Sequence, residues 1–231
     1  MKTENDRKMN LKGYIPRFLT HAVRAAIVIL VFCIAYGGFT QKKIADGIVR
    51  LHIIANSDNA ADQELKFKVR DAIIAHMHER YPVNASRDEI EEYLQNSLDE
   101  IRAVAQDVLK ASGSNAEVSV RYGQFPFPTR EYGNITLPAG VYKSVRVELG
   151  EAKGQNWWCV MFPPLCIADG NSMLMPEVSR EQLKETLGEE GYRLVTDVND
   201  ANNKEVRVKF RIVEWVQNSR LKLAELISRL F

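Results

Sequence analysis

Catalytic signatures are missing from this chain of 231 residues. It has no G-x-x-x-x-G-K-[ST] loop to cradle phosphates, no G-x-G-x-x-G turn, no G-x-S-x-G elbow and no H-E-x-x-H metal pair. No D-T-G or similar paired-carboxylate signal appears. Cysteine is scarce: Cys33, Cys159 and Cys166 are too few for a disulfide framework. Net charge is almost absent, with 31 Lys+Arg against 30 Asp+Glu, which argues against a general nucleic-acid binder. Internal repeats and low-complexity stretches are lacking too. The chain has four histidines, His21, His52, His76 and His78. On a helix, His76 and His78 lie about 200° apart and cannot share one ion. No metal, cofactor or small-molecule substrate is therefore expected.

What charge there is gathers at the start. Lys2, Arg7, Lys8, Lys12, Arg17 and Arg24 outnumber Glu4 and Asp6. Residues 25–39, AAIVILVFCIAYGGF, then carry no charge. A basic stretch feeding an apolar one is an export signature, because positive charge stays on the cytoplasmic side. Fifteen residues reach about 22 Å, against roughly 30 Å of hydrocarbon. Extension back to Ala22 requires Arg24 to snorkel. Ala35 and Gly37 are small residues spaced for signal cleavage, which favours a cleaved signal over a signal anchor. Either way, residues 22–39 contact membrane and residues 40–231 lie outside the cytoplasm.

The exported part reads as α+β, one mixed domain with two helices in its first half and mostly antiparallel strands in its second. Residues 48–55, IVRLHIIA, are rich in β-branched side chains and predict a strand. Leu65, Val69, Ala72, Ile73 and Met77 recur at helical spacing before Pro82. Ser86 and Glu89 predict a capping box opening a helix that runs to Gly113. Val118, Val120 and Tyr122 alternate as in a strand, and Phe125, Pro126, Phe127 and Pro128 predict an extended loop. Strands are expected around Val145 and over 156–162, and a short helix over 179–187. Val206, Val208, Phe210 and Ile212 alternate with basic residues and predict a half-exposed strand. Helical spacing returns from Val216 to Phe231. The domain reading is 1–39 for the signal or anchor, 40–217 for the exported domain and 218–231 for a C-terminal amphipathic helix.

Candidate chemistry is sparse. Cys159 and His52 are possible partners as nucleophile and base, which implies an exported cysteine-dependent envelope hydrolase. No papain-like or caspase-like signature surrounds Cys159. Cys159 and Cys166 bracket the tandem proline in CVMFPPLC, so they either form a disulfide or pack as two buried thiols. Adjacent Trp157 and Trp158 point to opposite faces of an extended segment, so one can be core while the other reaches a surface. A further alternative is an anchored structural or interaction protein whose last helix lies on a membrane or partner.

Three stretches together are specific: RLHIIANSDNAADQELKFKVRDAI (50–73), TLPAGVYKSVRVELGEAKGQNWWCVMFPPLC (136–166) and VRVKFRIVEW (206–215). They resemble the stage II sporulation protein R family of endospore-forming bacteria, over about residues 48–217. The resemblance implies a signalling protein and no catalyst. It implies synthesis in the forespore and export into the space between forespore and mother-cell membranes. The implied partner is a membrane-embedded aspartic protease, stage II sporulation protein GA, which removes the pro-sequence of sigma-E. The candidate partner-binding patch is Trp157, Trp158, Phe162, Pro163 and Pro164, with Asn56 and Asp58 as polar contacts.

Overall fold

The computed structural model describes residues 17–80, 85–165, 177–200 and 203–230. Helix α1 (Arg17–Asp46) carries the apolar segment and continues past it. Its last turn buries Ile44 and Ala45 in the domain. Strand β1 (Val49–Ile54) follows after Gly47 and Ile48, and all six of its residues are buried. Burial on both faces is the signature of a central strand, and here it extends even to Arg50 and His52.

Three helices follow: α2 (Ala60–Arg80), α3 (Arg87–Asn96) and α4 (Leu98–Ala111). The capping box is formed, with Ser86 N donating to Glu89 Oε2 at 2.7 Å and Glu89 N to Ser86 Oγ at 3.4 Å. The single helix expected up to Gly113 is instead two, divided at Ser97. The Ser97 hydroxyl donates back to Tyr93 O at 2.8 Å, competing with the main-chain ladder. Gly113, at φ 76°, ends α4 as the sequence implied. The α2 terminus agrees with the stop before Pro82, a residue outside those described.

The remaining strands are β2 (Val118–Phe127), β3 (Arg130–Tyr132), β4 (Ile135–Leu137), β5 (Gly140–Leu149) and β6 (Asn156–Phe162). The main sheet has the order β2-β5-β1-β6, and β3 pairs with β4 in a separate hairpin. Strand β1 is parallel to β5 and antiparallel to β6, while β2 is antiparallel to β5. Phe125 to Phe127 belong to β2 and not to a loop. That strand lies at the sheet edge, where a proline without an N–H is tolerated.

Helix α5 (Glu177–Thr196), longer than the short helix expected, is broken at Gly188, whose φ of 69° and ψ of 170° are non-helical. Helix α6 (Lys204–Leu230) replaces the strand expected over 206–212. The alternation was real but shared its residues with a helical set. Val206, Phe210, Val213 and Val216 recur at three- and four-residue steps, and these four are buried. Val208 is 59% exposed. Helices α1 and α6 run through positions 40 and 218, where the sequence reading divided the chain.

The sheet thus has a core on each face. One lies under α2, α3 and α4 and includes Leu51, Ile53, Val69, Ile73, Leu94 and Ile101. The other lies under the end of α1, α5, α6 and the β3–β4 hairpin and includes Ile44, Phe127, Tyr142, Leu187 and Phe210. Helical packing of α6 separates two substitutions that a strand would treat alike. Phe210→Ala is expected to cost about 3–5 kcal/mol in urea unfolding. Val208→Ala is expected to stay within about 0.5 kcal/mol. Equal losses at both positions would return the segment to a strand.

Candidate functional site

The β1–β6 pairing fixes where the candidate side chains go. Leu51 stands opposite Cys159, His52 opposite Trp158 and Ile53 opposite Trp157. Trp157 therefore joins the core under α2, and Trp158 joins the core on the other face. The two indoles do diverge, and both are half-buried.

On the α2 face, the Phe67 ring meets Trp157 edge-on at 5.5 Å, and Arg70 Cζ lies 4.6 Å from the Trp157 centroid. Phe67 is 38% exposed, so this cluster of indole, phenyl and guanidinium reaches the surface. On the opposite face Trp158 stacks on His52 at 3.8 Å and meets Phe127 at 4.7 Å. Phe162 and Pro163 are buried and Pro164 is half-buried. The five residues proposed as one patch are thus divided between two faces and the interior.

Asn56 and Asp58 act as fasteners. Asn56 Oδ1 accepts from Glu151 N at 2.9 Å, and Asp58 Oδ1 accepts from Gln155 N at 2.7 Å. The two side chains clamp the β5–β6 turn to the start of α2. Asp62 completes the knot by accepting from Ser57 Oγ at 2.6 Å, Asn56 Nδ2 at 2.8 Å and Asn59 Nδ2 at 3.0 Å. These hydrogen bonds, that from Ser57 first, hold its carboxyl below the ordinary value. A Cβ on Gly154 would collide with the Ser57 carbonyl, so the turn needs glycine there.

The pairing of Cys159 with His52 is not formed. Their side chains leave opposite faces of the sheet, and Cys159 is disulfide-bonded, so it offers no thiolate. Cys166 lies outside the described residues. Cys33 is a free thiol. Among the described residues no group of three or more His, Cys, Asp or Glu is placed to hold a metal. His76 instead approaches Glu100 at 3.4 Å and Arg80 at 2.9 Å.

His52 is buried and neutral. Its Nε2 bonds Asn156 Oδ1 at 2.7 Å, while Nδ1 is buried with no partner among the described residues. Burial lowers its pKa to about 4, against the opposing pull of Asn156.

Arg50 was passed over in the sequence, where a charged residue in a strand suggests solvent. It is fully buried. Its Nε donates to Cys159 O at 3.3 Å and its Nη2 to the Tyr132 hydroxyl. That hydroxyl donates to Trp158 O at 3.2 Å. The guanidinium carbon sits 4.1 Å from the Phe127 centroid and 5.0 Å from that of Tyr142. Nη1 has no partner among the described residues, and burial lowers the guanidinium pKa. Aromatic faces and carbonyls, rather than a carboxylate, accommodate the charge.

The family profile described as Stage II sporulation protein R matches residues 45–172. Stage II sporulation protein R of Bacillus subtilis (strain 168) is 34% identical over 186 residues, covering 76% of this chain and 82% of the relative. No solved structure matches the chain.

Two measurements check this arrangement. His52 takes no proton in the folded state until well below its unfolded pKa of about 6.5. Stability is therefore unchanged above that pH and falls between about 6.5 and 4. The loss by pH 5 is about 2 kcal/mol. His52→Phe should flatten that slope in urea titrations at pH 7.5 and 5. At Arg50, lysine keeps the charge but loses the planar fork and its stacking. Arg50→Lys should therefore be less stable than Arg50→Met, by about 1–2 kcal/mol.

Proposed function

The chain belongs to the stage II sporulation protein R family, and on that premise we propose that it is an exported signal of endospore formation. It is made in the forespore and crosses that compartment's membrane. In the intermembrane space it activates the membrane-embedded aspartic protease stage II sporulation protein GA, which then processes pro-sigma-E in the mother cell. The observation that carries this reading is the join of a family-matched domain to an apolar N-terminal helix. Residues Leu19–Asp46 form a helix long and apolar enough to cross a membrane, and its apolar part is almost wholly exposed. Such a helix fits a signal or an anchor. The alternative of a cysteine hydrolase loses its nucleophile with Cys159 in a disulfide.

An activator of this kind works by differential binding. Shifting the protease from mostly off to mostly on requires about 10⁴-fold tighter binding to the active state. The docking surface in this reading is the half-exposed cluster of Phe67, Trp157 and Arg70. An aromatic anchor beside an arginine is the composition of an energetic hot spot. Trp158, stacked on His52 inside the opposite face, serves the fold.

Reconstitution in a non-sporulating host tests this. The sigma factor should shorten on a blot only when this chain, the protease and pro-sigma-E are expressed together. Phe67→Ala should cut shortening by on the order of tenfold or more, since hot-spot truncations cost 2 kcal/mol and upward, while leaving the melting curve in place. No shortening by exported, folded wild-type protein would sink the proposal. Full shortening with Phe67→Ala and with Arg70→Glu would move the docking surface elsewhere.

A further inference from the structure

Helices α1 and α6 lie side by side and run in the same direction. Gln217 Nε2 donates to Gly37 O at 3.4 Å, Gly37 packs against Val216, and Gly38 faces Arg220. Toward their N-termini the two helices flank a groove of about 880 Å³. Ala26, Ile29 and Cys33 line one wall, and Lys204, Val208 and Trp215 line the other. Val216 and Lys204 are about 18 Å apart along the axis at 1.5 Å per residue, which brings Lys204 level with residue 25.

That placement conflicts with a membrane crossing. A bilayer traversed by α1 in this pairing would also take in Lys204, Arg207 and Arg211. Lys204 and Arg207 have no carboxylate partner among the described residues. Unpaired charge at that depth is strongly unfavourable. The α1–α6 pairing and insertion of α1 therefore exclude each other. Gly37 and Gly38 supply the place to part, since adjacent small residues are where helices bend sharply. Insertion would leave Gly37 against Val216 and swing away the apolar segment before it.

Parting leaves α6 with a bare stripe. Val208, Trp215, Leu223 and Leu226 are each at least 53% exposed already. At 100° per residue they fall within about 80° of arc. Lys204, Arg211 and Lys222 border one side of that arc and are exposed. Residues 204–224 carry six basic side chains against two acidic ones.

We propose that α6 is a membrane-surface helix, and that the occupant of its exposed stripe is the anionic face of the bilayer entered by α1. An apolar arc with a tryptophan and a basic border suits the headgroup boundary, where acyl chains take the arc and anionic headgroups take the lysines and arginines. The bilayer is also the apolar phase nearest to the groove, because α1 delivers it there. This surface is independent of the protease, so a failed activation assay leaves it standing.

Site-directed spin labelling of the full chain decides the matter. In a Cys33→Ser background, Val208→Cys, Leu223→Cys and Asn218→Cys are each labelled, with the disulfide kept oxidised. The protein is reconstituted into phosphatidylcholine vesicles with or without phosphatidylglycerol. With phosphatidylglycerol, labels at 208 and 223 should become accessible to oxygen and shielded from an aqueous nickel chelate, while 218 stays wet. Replacing Lys204, Arg211 and Lys222 with Gln should reduce that immersion by on the order of a hundredfold. Three wet labels, three equally immersed labels, or equal immersion without phosphatidylglycerol would each overturn the proposal. So would shielding of 208 and 223 in lipid-free dimers, which would assign the stripe to a second copy.

Discussion

A single unpaired cation ties the second face of this domain together. Arg50 extends from the central strand into an interior where no carboxylate among the described residues pairs with it. It finds the Cys159 carbonyl on β6, the Tyr132 hydroxyl on β3 and the rings of Phe127 on β2 and Tyr142 on β5. Five strands thus converge on one side chain. The separate β3–β4 hairpin is held to the main sheet in part through Tyr132, which also donates to Trp158 O. An arginine suits this position because its weakly hydrated plane stacks on aromatic faces while its edge donates. A burial so costly persists only where the surroundings over-determine it, and here four elements contribute.

The same strand explains why the sheet has two unlike sides. Val49, Leu51 and Ile53 face the α2–α4 layer, while Arg50 and His52 face the aromatic layer. One side is a mainly aliphatic core, with Phe162 and Trp157 at the β6 edge. The other mixes Phe127, Tyr142 and Trp158 with a buried guanidinium and a buried imidazole. The β5–β6 turn passes the end of β1, which lies between the two strands it joins, and is locked by Asn56 and Asp58. Polar residues that read as contacts for a partner are occupied by their own chain.

Local pattern made β1, α2, the capping box and the opposed tryptophans legible, because each depends on residues close in sequence. The α+β class follows from them. The failures have a common cause. Residues 206–212 satisfy both a two-residue and a three-to-four-residue period, and the core that Val206 and Phe210 join is assembled from α1 and α5, far away in sequence. Pro126 excludes a central strand but not an edge, and which strand is an edge is a property of the whole sheet. Arg50 was invisible because its burial depends on aromatics 77 to 92 positions further along. Phe67 was overlooked because its partner is Trp157, on another element.

The sheet also segregates what the chain can touch. Helices α1 and α6, which carry most of the exposed large apolar side chains, both pack into the core on the Arg50 side. The Phe67, Trp157 and Arg70 cluster opens on the α2 side. A side chain cannot serve both, since successive β6 residues alternate faces and Trp157 and Trp158 are successive. The division has a mechanical consequence. Movement of the apolar half of α1 about Gly37 and Gly38 leaves the last turn of α1 buried, with Ile44 still in the core. The proposed change in membrane attachment therefore leaves the opposite face undisturbed. In the proposed reading the docking surface stays rigid while attachment to a bilayer rearranges, because the sheet between them is packed on both sides and does not bend continuously.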